Sequence, residues 1–155
     1  MKFAINMLGG LAGALILNII HESAKKLFKE APEIDKVGQE AIKKTSRTVG
    51  ITPPTGKKLY ATTLLSDLAS NTMYYSAIGK GDSQGLFWRG AGYGLTAGLG
   101  AIGLTKPLGL NDAPINKSMV SKILTVAWYT LGGIVAASAI KLLDMKNDHV
   151  VGRNN

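Results

Sequence analysis

Leu86–Leu104 reads LFWRGAGYGLTAGLGAIGL, with glycine at Gly90, Gly92, Gly94, Gly98, Gly100 and Gly103 and a single charge, Arg89, near its start. In water, each glycine inside a helix costs about 0.5–1 kcal/mol relative to alanine, so a soluble helix of this composition would be heavily penalised. In a bilayer the backbone has no alternative hydrogen-bonding partner, so glycine-rich helices persist and their small residues become contact surfaces. The stretch therefore predicts a membrane helix and argues against a water-soluble helical bundle.

Three further blocks approach the roughly 20 helical residues needed to cross a hydrocarbon core of about 30 Å. Phe3–Ile20, FAINMLGGLAGALILNII, has no charge and only Asn6 and Asn18 as polar interruptions. Leu59–Ile78, LYATTLLSDLASNTMYYSAI, has the length of a span but is diluted by Asp67, Asn71 and several hydroxyls. Ile123–Leu143, ILTVAWYTLGGIVAASAIKLL, carries Lys141 near its end. Arg89 and Lys141 are both placed to snorkel to an interface. The first block also has features of a secretory signal, since Lys2 precedes an apolar run with small residues at Ala12 and Ala14. Its run exceeds a usual signal core, which favours a span. The expected fold is all-α: a four-helix transmembrane bundle with an additional amphipathic cytoplasmic helix. It forms a single integral membrane domain over 1–155, with spans at about 3–22, 58–79, 86–105 and 120–143 and a connection at about 23–57.

Composition agrees. The 155 residues are 46% hydrophobic and 18% charged, with net charge +8 and a mean hydropathy of +0.14, so the apolar residues must be gathered in blocks. Intrinsic disorder is excluded by that apolar fraction. The absence of cysteine excludes disulfides, thiolate zinc sites, iron–sulfur clusters and a cysteine nucleophile. With these spans, twelve lysines and arginines fall on one side, nine of them between His21 and Lys58, and six on the other. The positive-inside rule makes the richer side cytoplasmic and both termini outward. The basic excess is thus an orientation and lipid-contact signal, and no basic motif interleaved with aromatics points to nucleic acid.

The connection from His21 to Lys58 is the one loop large enough for structure of its own. HESAKKLFKE should prolong the first helix until Pro32 stops it. A second helix is expected in PEIDKVGQEAIKKTSRTVG, with Pro32 at its first position, Glu33 and Asp35 in its first turn and Gly50 closing its end. Ile34, Val37, Ala41 and Ile42 share one face; Lys36, Lys43, Lys44 and Arg47 populate the rest. Two arrangements are open. The helix can lie in the headgroup layer, apolar face down, with those four cations contacting anionic lipid at about 1 kcal/mol each. Alternatively, it packs as a solvated cap over the bundle. Thr55 is placed to cap the following span.

Ionisable groups at membrane depth are default functional candidates. Asp67, Ser70, Asn71 and Tyr74 recur at offsets of three, four and seven, on one face of the second span. Asn18, His21 and Glu22 share a face at the cytoplasmic end of the first. Antiparallel packing would bring the two sets close but not level, with His21 one or two turns from Asp67. The cluster reads either as a proton- or cation-binding site or as interhelical hydrogen-bonding glue. Metal binding is not expected, because the second histidine, His149, lies in the tail; no cofactor motif is present, and GAGYG lacks the strand a dinucleotide loop requires. Small residues four apart mark packing seams: Gly9 with Gly13, Gly90 with Gly94 and Gly98, Gly92 with Thr96 and Gly100, Gly132 with Ala136, and Gly133 with Ala137. Two such faces on the third span predict two close neighbours, one of which could belong to a second copy in a homo-oligomer. Trp88 is expected as an interface anchor, with Tyr93, Trp128 and Tyr129 too deep for that role.

The strings GGLAGALILNIIHESAKKL, APEIDKVGQEAI and LLSDLASNTMYYSAIG resemble a family of small, uncharacterised four-span bacterial inner-membrane proteins. The resemblance covers about the first half of the chain. It implies a four-span protein of the bacterial inner membrane, and no activity or catalytic residue. The functional expectation is a structural or accessory membrane protein that is not an enzyme. The alternative is a small transporter or channel for protons, cations or a small solute using Asp67, and a lipid-acting enzyme ranks last.

Overall fold

The computed structural model describes residues 2–151, with side chains described from residue 2 to residue 146. Arg153 and the side chain of His149 lie outside the described residues. The chain forms α1 (Lys2–Leu27), α2 (Ile34–Thr48), α3 (Gly56–Ser76), a 3-10 turn (Ala77–Gly79), α4 (Leu86–Leu104), α5 (Ala113–Asn116) and α6 (Met119–Val151), with no strand among the described residues. The fold is all-helical.

α1 and α6 form the centre. α3 packs along the free side of α1, and α4 along the free side of α6. Gly9 of α1 meets Ala136 and Ile140, whereas Gly13 meets Gly132 and Ala136, so the two central helices run antiparallel. The same holds for α4 against α6, where Gly90 meets Gly133 and Ala137 and Gly98 meets Val126. α2 and α5 lie together at one end, where the backbone N–H of Glu33 donates to the Pro114 carbonyl at 3.0 Å. Among the described residues two helices, Lys2–Leu27 and Met119–Lys146, are long and apolar enough to cross a membrane. α3 and α4 have 21 and 19 residues, but Asp67, Asn71 and hydroxyls dilute the first, and six glycines with Arg89 dilute the second.

The glycine seams set the spacing. A Cβ added to Gly90 would lie 2.5 Å from the Gly133 carbonyl oxygen and 2.7 Å from Ala137 Cβ, while one on Gly94 would lie 2.5 Å from Thr130 Cα. Neighbouring Gly132 and Gly133 serve different partners, the first facing Gly13 and Tyr75 and the second facing Gly90 and Gly94. Gly10, which belongs to none of the four-residue glycine pairs, seats α1 against Thr72 and Ser76 of α3. Among the described residues the second small face of α4 meets no other helix: Gly92 has nothing within 4 Å, Gly100 meets Leu104 of its own helix, and Thr96 is exposed.

Several local expectations need correction. α1 ends at Leu27, ahead of Pro32, and α2 begins at Ile34, after Pro32 instead of at it. Pro32 is buried in the intervening bend. Thr55 occupies the N-cap position in extended conformation but makes no side-chain cap bond. The cap that does form is Ser118, whose Oγ accepts the Ser121 N–H at 3.1 Å and so satisfies an orphan donor of α6. Arg89 is tied to the chain turn, donating to the Ile78 carbonyl at 3.0 Å and the Asp82 carbonyl at 2.6 Å.

The seams predict opposite outcomes for one substitution on two faces of α4. Gly94→Leu should drive a side chain into the α6 backbone and destabilise the detergent-solubilised protein by about 3 kcal/mol, the upper end of ordinary overpacking. Gly92→Leu should leave its thermal unfolding within about 1 kcal/mol of the parent. Circular dichroism melts of both variants check the contrast.

Candidate functional site

The polar residues of α1 and α3 meet at one end of the bundle. Asn18, His21 and Glu22 from α1 and Ser70 and Asp67 from α3 line one cavity of about 280 Å³, closed on a third side by Ile34, Asp35, Gly38, Ala41 and Ile42 of α2. The two sets are brought together as the antiparallel register requires. Asn18 reaches the level of Asp67, where it and Asn71 flank the carboxylate. Glu22 lies further along, where it accepts a hydrogen bond from the Tyr60 hydroxyl. Asn71 and Tyr74 are outside the cavity lining. Tyr74 instead donates to the Tyr93 carbonyl at 3.0 Å, and its ring lies 5.3 Å from that of Tyr93, bridging α3 to α4. Ser70 gives its hydroxyl proton back to its own helix, at the Ser66 carbonyl, 2.8 Å away.

Three carboxylates line the cavity, and their partners differ. Lys25 pairs with Glu22 at 2.6 Å and with Asp35 at 3.1 Å, joining α1 to α2, while its ammonium lies 5.2 Å from the centre of the Tyr60 ring. Burial opposes the Lys25 charge, but its bonds to Glu22 and Asp35 more than offset this and hold the ammonium above the ordinary lysine range. Asp67 has no salt bridge among the described residues. His21 is only 5% exposed, its ring 5.1 Å from that of Trp128 and 5.7 Å from that of Tyr129. Its Nε2 is buried without a hydrogen-bond partner among the described residues. Buried polar atoms are nearly always paired, so this one stands out.

Ile34, Ala41 and Ile42 of α2 line the cavity, and Gly38 sits against Thr63 of α3, so that face is turned towards the cavity. Lys44 is likewise committed, donating to the Leu108 carbonyl at 2.8 Å. Lys36 pairs with Glu33 at 2.8 Å. Lys43 and Arg47 are exposed and make no ion pair among the described residues. Glu40 accepts the Asn111 N–H at 2.9 Å, a second tie between α2 and the loop before α5. Sequence reading missed Lys25, Asp35 and Tyr60, whose available signal was only the i,i+3 spacing of Glu22 and Lys25.

Among the described residues no cluster of three or more histidine, cysteine, aspartate or glutamate side chains is grouped to hold a metal ion. Comparison with protein-family models, with curated proteins and with solved structures finds no match to the chain.

Lys25 is the joint between α1 and α2, so Lys25→Met leaves two partly buried carboxylates without their cation, at about 1–3 kcal/mol. Amide hydrogen exchange over 34–48 should accelerate about tenfold or more, each 1.4 kcal/mol being a factor of ten. Exchange in the glycine-packed segments around Gly13 and Gly133 should stay as in the parent.

Proposed function

We propose that the chain is a multi-pass protein of the bacterial inner membrane in which α1, α3, α4 and α6 all span, acting as a structural or accessory helical bundle and not as an enzyme. The observation that carries this reading is the distribution of large apolar side chains. Leu8, Leu15 and Ile19 of α1, Leu65 and Met73 of α3, Leu95 and Leu99 of α4, and Ile123, Leu131 and Leu142 of α6 are all exposed on the perimeter. The closest helix contacts inside are made by glycine and alanine, and around them Ile5, Leu17, Ile78, Leu86 and Ile140 pack with Tyr75 and Tyr129. A water-soluble bundle of this size would place an apolar area far beyond a few hundred Å² against water. Lipid removes that objection, and small residues at the closest helix contacts are the packing that lipid favours. α3 and α4 carry the exposed apolar residues just as α1 and α6 do, which supports four spans over two.

The basic connection containing α2 is then cytoplasmic, by the positive-inside rule. The resemblance of the first half of the chain to four-span bacterial inner-membrane proteins is in keeping with this. A second reading, a carrier for a cation or small solute, is favoured by one observation: Asp67 faces a cavity with His21 and Glu22. The lining ends at Asn18, Asp67 and Ser70, and beyond it α1 and α3 close through Gly10 against Thr72 and Ser76. Solute transfer would therefore require that glycine-closed half to open.

The absence of native cysteine makes single-cysteine labelling clean. In oriented membranes, Ser46→Cys in α2 should react with an impermeant maleimide only from the cytoplasmic side, and Ser83→Cys between α3 and α4 only from the other. Labelling of both from the same side means that α3 and α4 do not cross, and defeats the four-span reading.

A further inference from the structure

We infer that the cavity between α1, α2 and α3 binds a small organic cation, a protonated amine with a compact apolar body, with Asp67 as its counter-ion and Asn18 as a further polar contact. The inference deepens the second reading above, in that Asp67 faces solute, and does not depend on how many helices span.

Charge selects the sign of the ligand. Glu22 and Asp35 share the single Lys25 ammonium, and Asp67 has no cation among the described residues. A chain of net charge +8 thus surrounds one cavity with more carboxylates than ammoniums. A carboxylate withdrawn from water without a cation is costly, and a cationic ligand removes that cost. An anion would meet no free cationic side chain on these walls.

Donor chemistry and shape select the class. Ile34, Ala41, Ile42 and Leu64 supply apolar wall, whereas a hard metal ion asks for six or more oxygens around it. The residues are not grouped to hold a metal. A volume of about 280 Å³ corresponds to roughly nine water-sized units at about 30 Å³ each, too small for a lipid chain with its headgroup. An ammonium group carries up to three N–H donors. The Asp67 carboxylate accepts from the ammonium, and Asn18 Oδ1 accepts another of its N–H groups. The pocket thus pairs a mainly apolar wall with a few convergent polar groups, the usual make-up of a small-molecule site.

The test uses the full chain in lipid nanodiscs and the position of Trp128 beside His21. The chain has two tryptophans, so Trp88→Phe leaves Trp128 as the sole reporter. Benzylammonium should give a saturable change in its emission, and benzyl alcohol and benzoate should bind at least tenfold more weakly. Asp67→Asn should weaken benzylammonium at least tenfold. Ala41→Phe, which fills the cavity from α2 and leaves every carboxylate in place, should abolish the response, and decides the matter alone should Asp67→Asn fail to fold. Equal binding of the alcohol, an unchanged affinity in Asp67→Asn or Ala41→Phe, no saturable response to benzylammonium, or equal displacement by sodium at the same concentration each overturns the inference. None of these results alters the labelling pattern of the Ser46→Cys and Ser83→Cys variants, so failure here is distinguishable from failure of the four-span reading.

Discussion

The close approach of α6 to both α1 and α4 is the constraint on which the rest of the structure depends. Gly132 and Gly133, adjacent in sequence, point to opposite sides of α6, so one helix serves as the shared wall of two seams. Each seam needs a glycine on the partner as well, at Gly13 on α1 and at Gly90 and Gly94 on α4. In the bilayer placement proposed above, lipid tails are as apolar as leucine, so burying leucine between helices would gain little and close contact and dispersion would supply the attraction. Residues without side chains allow the closest contact, which puts α6 at the centre and α3 and α4 at the edges.

The same constraint explains where the protein is not tightly packed. After Gly13, α1 has no further glycine, and its inner residues become Leu17, Asn18, His21 and Glu22. On the face turned to α3 the last glycine is Gly10, and the cavity opens about two turns beyond it, at Asn18. The side between α3 and α4 has no glycine seam either. Aromatic groups lie there: Tyr74 donates to the Tyr93 carbonyl of α4, while fully buried Tyr75 turns to α6 and donates to the Tyr129 carbonyl at 2.8 Å. Tyrosine suits this place because its ring fills the wider gap and its hydroxyl satisfies a distant carbonyl.

The five longer helices were legible because glycine spacing and apolar blocks are local signals, whereas the four-residue α5 and the 3-10 turn at Ala77–Gly79 were not expected. Gly9, Gly13, Gly90, Gly94 and Gly98 fell on contact faces because a four-residue period keeps a face constant along a helix. Gly10 gives no such signal, because it seats α1 on α3 alone, with no glycine four residues before or after it. The Asp67 and His21 sets were each visible from periodicity, and antiparallel pairing was enough to bring them together. The reach of Tyr74 to α4, and not into the cavity, depends on how far α3 and α4 stand apart, which no pattern within α3 encodes. Span number is the harder matter, since dilution by Asp67 and by glycine lowers the apolar content of α3 and α4 for reasons of packing and chemistry that hydropathy does not separate from solvent exposure.

The placement of α2 shows what amphipathicity leaves open. A helix with Ile34, Ala41 and Ile42 on one face suits a headgroup layer and a protein cavity equally well, and here polar ties at its edges hold that face towards the cavity. Lys25 with Asp35, Glu40 with Asn111, and Lys44 with Leu108 fix its apolar face inward. Those ties also isolate Asp67. Every other carboxylate on the cavity wall has Lys25, whereas Asp67 has no cation among the described residues and has the amides Asn18 and Asn71 beside it. Hydrogen bonding to two amides needs no carboxylate, because asparagine at position 67 could both donate to and accept from them. Compared with that amide, the aspartate adds charge and little else, and charge without a cation in a chain at this depth is a cost. Interhelical glue therefore accounts for a polar residue at position 67 without requiring an acidic one, and the cation proposed for the cavity is what that charge would hold.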